Sequence, residues 1–250
     1  MDATEAAAQS AKPILEFGRG WMVAPSTTKR AEELGLAEAG RFCFWVNGRA
    51  GVLGDVDPHI ATAAIGFMAP AAVRAYWGAR PPELSAWDAA LAWFEAAAAW
   101  GRETLAAMDD ARLQRLVHLA GIVIRDADLS IGTLFAGSAL IPLPGDPAGD
   151  ATVLLNVLRE LRGGAHLAAC HAVGLGPHAT IMSTDDPVRG GASWAETFGW
   201  EAPHPTPDHE ARAQIERLTT AGVRHAFAAL SLAEAGEFVE LCVEARAKMD

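Results

Sequence analysis

Apolar positions recur along most of the chain at steps of three and four, the spacing of helices that bury one face. In "PELSAWDAALAWFEAAAAWGRETLAAM", Leu84, Trp87, Leu91, Phe94 and Ala98 fall on one stripe and predict a helix of several turns. Local punctuation marks other helices. "STTKRAEELGL" offers Ser26 as an N-cap and Gly35 as a stop, "DPHIATAAIGFM" places Asp57 as a cap before Pro58, and Pro70 opens "PAAVRAYW". Another helix is read in "DARLQRLVHLAGIVIRDADLSIGTLF".

The proline- and glycine-rich joint at 141–150 predicts two parts, an N-terminal helical half over 1–140 and a C-terminal half over 151–250. Beyond the joint, "ATVLLNVLRELR" predicts a helix that breaks at Gly163-Gly164, and a second helix would carry His166, Cys170 and His171. The stretch from Pro177 to Glu210 is loop-rich, with four prolines between 187 and 207. "HEARAQIERLTTAGV" predicts an amphipathic helix ending at Gly222, "RHAFAAL" a short strand, and "SLAEAGEFVELCVEARAKM" a closing helix capped by Ser231. Strand alternation is otherwise nearly absent. The fold class is therefore all-α or nearly so, one half packed on the other with a pocket between them.

Composition narrows the setting. A chain of 250 residues that is 51% hydrophobic and 20% charged buries a substantial core. With no long uncharged apolar run and no signal-like N-terminus, a cytoplasmic protein with no membrane contact is expected. Three widely spaced cysteines suggest neither a disulfide framework nor a zinc knuckle. The formal net charge of −11 argues against a nucleic-acid partner.

Several short phrases together resemble an actinobacterial family of helix-turn-helix proteins of uncharacterised function. They are "FWVNGRAGVLGDV", "GFMAPAAV", "LRELRGGAHLAACHAVGL" and "LTTAGV" followed by "LSLAEAGEFVE". The last pair is similar to the end of a MarR-type winged helix, which implies a winged-helix-like C-terminal half. Arg49, Gly54 and His166 match the family's pattern. Its Gly-Asp-Gly-His turn reads Gly163-Gly164-Ala165-His166 here, and a histidine of its first helix is missing from "PILEFGRGWMVA". The chain as a whole, without a single carrying motif, also looks like the aziridine-forming proteins of azinomycin-type antibiotic pathways. That likeness implies ring closure by internal displacement of sulfate.

The polar residues leave alternatives open. His166 and Cys170, one helical turn apart, are two ligands where zinc needs three or four, so no metal is expected; they read as core residues or as part of a pocket. Trp45, Asn47, Arg49, Asp55, Asp57 and His59 cluster within fifteen residues, either as a capped loop with a salt bridge or as a site. In the second case Arg49 and His166, with Trp45 and Asn47, bind an anionic substrate, while Asp55, His59 or Asp126 holds or deprotonates an amine. Arg125 and Asp128 read as an ion pair. No nucleotide, P-loop, serine-hydrolase or calcium motif occurs, so no cofactor is expected. The expected partners are a small-molecule substrate and, in an oligomer, another copy or a related helical subunit. Three functions remain: a cofactor-independent enzyme of specialised metabolism, a ligand-responsive winged-helix regulator, or a non-catalytic subunit docking through the Trp-rich helix 83–108.

Overall fold

The structure, a computed structural model, describes residues 1–184 and 189–250. The 185–188 portion of the loop-rich stretch lies outside these residues. The described residues form helices and turns with no strand: α1 Ala3–Gly20, α2 Pro25–Glu33, α3 Phe42–Ala50, α4 Pro58–Ile65, α5 Pro70–Gly78, α6 Ala86–Thr104 and α7 Asp110–Asp126. They continue as α8 Thr133–Ser138, α9 Pro147–Val173, α10 Pro177–Met182, α11 Gly190–Thr197, α12 His209–Phe227 and α13 Leu232–Ala247. The all-α reading holds.

Side-chain caps fix many of the starts. Asp57 accepts from the His59 amide with Pro58 at the first helical position, and Ser231 and Glu234 form a reciprocal capping box on α13. Ser26 is not a cap: α2 begins one residue earlier at Pro25, whose fixed φ starts the helix. Small side chains carry much of the burial. In α6, Ala86, Ala89, Ala90, Ala97 and Gly101 are buried beside Trp93 and Phe94, while Trp87 and Leu91, with Leu84 just before the helix, are only half-buried. These alanines let neighbouring helices approach closely, so the core face takes in Phe94 and Ala98 of the predicted stripe and extends round the helix to its alanine side.

α9 is the axis of the molecule. Its 27 residues span about 40 Å, and it packs against α1, α6, α7, α8 and α12. The expected break at Gly163-Gly164 does not occur; the helix runs through both glycines. Their role is close approach. A Cβ on Gly164 would stand 2.5 Å from the Ile131 carbonyl oxygen, with Gly132 beside it, so the turn before α8 seats directly on α9. The expected strand at "RHAFAAL" is also absent, because α12 continues over Arg224–Phe227 before a four-residue turn to α13.

A hydrophobic core runs from Ala6 to Ala245, and α1 packs against both α12 and α13. The Pro-Gly joint connects α8 to α9 along this core. The segment around α11 docks on the other side. Ala69 donates to the Phe198 carbonyl at 2.9 Å, Trp200 Nε1 donates to the Phe67 carbonyl at 2.9 Å, and Phe198 lies against Phe42 and Trp45.

Candidate functional site

Three polar clusters contain most of the side chains that the sequence singles out, and two of them are built on α9. In the first, Arg49 extends from the last turn of α3 and grips Glu160 of α9 with both arms of its fork. Nε lies 2.9 Å from Oε1 and Nη2 2.8 Å from Oε2. The guanidinium also lies 4.4 Å from the centre of the Trp45 ring, a cation–π contact. Arg159 shares Glu160 through Nη1 at 3.3 Å. Burial alone would raise the Glu160 pKa, but the Arg49 charge and hydrogen bonds outweigh it and hold the carboxyl below its usual range.

The second cluster closes the loop after α3. Arg80 bonds Asp55, donates to Asn47 Oδ1 at 3.3 Å and stacks over Trp77. Asn47, fully buried, donates its amide to the Tyr76 and Cys43 carbonyls at 2.8 and 3.0 Å. This is a satisfied structural network that ties α3 to the C-terminus of α5.

The third cluster lies between α9 and α12. His166 Nδ1 is 3.0 Å from Thr219 Oγ1, and its Nε2 faces Arg212 Nη1 at 3.4 Å. Glu216 binds both Arg212, at 2.7 Å, and Arg162. Burial, reinforced by the Arg212 charge, lowers the His166 pKa to about 4. Cys170, one turn further along α9, turns instead into an apolar group with Ala169 and Ile215.

The expected site is thus distributed. Trp45 meets Arg49, and Asn47 meets Asp55 through Arg80. Arg49 and His166 contact different groups: Glu160 and His166 are six residues apart on α9, about 9 Å along the axis and roughly 120° round it. His166 lies in the helix interior, so no free amides of a helix start surround it. His59 pairs with Asp57 on the exposed surface, and Asp126 is exposed at the end of α7. Asp128 caps the Ser130 amide at 2.8 Å, a local turn contact in place of the expected pairing with Arg125. Among the described residues no three His, Cys, Asp or Glu side chains are grouped to hold a metal, and no helix is long and apolar enough to cross a membrane.

Sequence reasoning missed Glu160, Arg159, Arg80, Arg162 and Thr219. One signal was available: Thr152, Asn156 and Glu160 follow one another at steps of four on the buried face of α9, polar residues at core spacing.

α12 divides its charges between two faces. Arg212 and Glu216 turn inward to the third cluster. From Gln214 onward the solvent face carries Gln214, Arg217, Ala221, Arg224 and His225, all exposed, and no acidic side chain. Glu210 stands on that face only in the first turn. α13, across the turn, presents Glu240 to solvent.

An all-helical chain with short-turn helix pairs and a basic helix face has the features of a helix-turn-helix protein. The chain belongs to a helix-turn-helix family, whose sequence model matches residues 6–249. No curated protein and no solved structure matches it. Membership overturns the expectation set against a nucleic-acid partner. That expectation rested on a net charge averaged over the whole chain, which does not register the separation of charge across α12.

Proposed function

We propose that the protein is a helix-turn-helix regulator that engages duplex nucleic acid through the outward face of α12. The carrying observation is that Glu216, next to Arg217 in the linear sequence and half-buried, has its charge taken up by ion pairs with Arg162 and Arg212. Beyond Glu210 in the first turn, the exposed stripe is left with two arginines, a glutamine and a histidine, the donors that phosphates and base edges require. Arg217 and Arg224 are seven residues apart, two turns or about 10 Å, on the same side of the helix. α13 and α5 fit this role less well: α13 exposes Glu240, and the solvent face of α5 offers Arg74 among alanines.

A single basic stripe on a chain of net charge −11 implies few phosphate contacts, a correspondingly shallow salt dependence and base contacts as the source of specificity. The test is selection of bound duplexes from a random-sequence pool, followed by anisotropy titrations of the winners. A selected sequence bound at about 10⁻⁸ M or tighter near physiological salt, with the affinity lost in Arg217→Ala/Arg224→Ala, supports the reading. Failure of the pool to enrich overturns it.

A further inference from the structure

Glu160 is a single carboxylate set between two guanidinium groups. Arg49 occupies both of its oxygens. Arg159 is left with one contact of 3.3 Å, and among the described residues its Nε is the buried side-chain nitrogen without a hydrogen-bond partner. The nearby amide of Asn156 is already committed: Oδ1 accepts from Trp21 Nε1 at 3.1 Å and the NH2 donates to the Thr152 carbonyl at 2.8 Å. Gly18 of α1 faces the arginine stem and offers no side chain at all.

Among the described residues the charges at Glu160 do not balance. Arg49 alone neutralises the carboxylate, and Arg159 brings a second positive charge to it. Arg49 and Arg159 retain only 11% and 15% of their side-chain exposure, and Glu160 retains 8%. Water therefore solvates the surplus charge poorly, and an uncompensated charge in such a place is costly. We propose that Arg159, at the junction of α1, α3 and α9, anchors a binding site for a small oxyanion, a carboxylate, phosphate or sulfate group. Two oxygens of such a group match the unused donors of a guanidinium fork, and the residual exposure of Arg159 and Arg49 marks the way in. Burial, with Arg49 beside it, pulls the Arg159 pKa down to about 10, which leaves it charged at neutral pH. The site is separate from the outward face of α12, and its test needs no nucleic acid.

The experiment compares melting temperatures in 10 mM phosphate, sulfate or succinate with chloride at equal ionic strength, a concentration too low for general salting-out effects to dominate. The unmodified protein is expected to rise by several degrees in at least one of the three, and the pattern among them identifies the group. Arg159→Met and Arg159→Gln are expected to lose that rise and to melt in chloride at or above the parent temperature, because the surplus charge is gone. An unmodified protein indifferent to all three anions overturns the site. So does an equal rise in the variants, which would place the anion elsewhere. If neither variant folds, calorimetric titration of phosphate into the unmodified protein decides: saturable binding at one site per chain, competed by sulfate, supports the proposal, and its absence overturns it.

Discussion

His166 Nδ1 donates to Thr219 Oγ1 across the α9–α12 interface at 3.0 Å. The direction follows from the hydroxyl, whose single proton is given to the Ile215 carbonyl at 2.7 Å, so the oxygen accepts from the ring. Nε2 then presents its lone pair to Arg212. Burial disfavours a charged ring, and a second ring proton would point at a guanidinium; together these favour the neutral imidazole.

Because the folded pKa of His166, about 4, lies below the unfolded value of about 6.5, the unfolded chain binds more protons between these limits. Stability is then complete above the unfolded value and falls with pH through the window, by on the order of 2–3 kcal/mol for this residue. Glu216, held below its ordinary range against burial by Arg162 and Arg212, gives up its contribution at lower pH. Urea unfolding at pH 7 and pH 4.5 is expected to show the loss in the unmodified protein and a smaller one in His166→Gln.

The two sides of the Glu160 cluster are expected to respond unequally. Glu160→Gln leaves Arg49 and Arg159 both without a counter-charge and is expected to cost about 3–5 kcal/mol. Arg49→Met is expected to cost less, since Arg159 already reaches the same carboxylate. Denaturant titration of the two variants checks the order.

Adjacent glycines in α9 are expected to give opposite results. At Gly163 the nearest atom to an added Cβ is 3.8 Å away, so Gly163→Ala is expected to stabilise by about 0.5–1 kcal/mol through helix propensity. At Gly164 the Ile131 carbonyl oxygen would be 2.5 Å away, and Gly164→Ala is expected to destabilise by roughly 1–3 kcal/mol. Thermal melts of both variants make the comparison.

On α12, position on the helix is expected to decide the phenotype. Arg217→Ala and Arg224→Ala should each reduce the magnitude of the log-log salt slope of nucleic-acid binding by about 0.9, with little change in stability. Arg212→Ala should lower stability, since it removes a partner of the half-buried Glu216. Paired anisotropy and denaturation measurements separate the two effects.

The sequence by itself determined the all-helical class and many helix starts, because apolar spacing, N-caps and Pro at the first helical position act within a few residues of one another. Asp57 and Ser231 are where their local chemistry puts them. It misled where a local signal met a tertiary one. Gly163-Gly164 reads as a break, yet burial along both sides of α9 keeps the helix intact, and the glycine at 164 serves a contact with Ile131, more than thirty residues away in the chain. "RHAFAAL" reads as a strand, but Val223, Ala226 and Phe227 bury at helical spacing once α12 has neighbours to pack against. The polar residues were the least legible. Whether Arg49 is free or bound depends on Glu160, 111 positions later, and whether Glu216 opposes or permits a basic surface depends on Arg162 of another helix. Charge and hydrogen-bond pairing are set by distance in space, and only the packing of α9 against its neighbours supplies that distance.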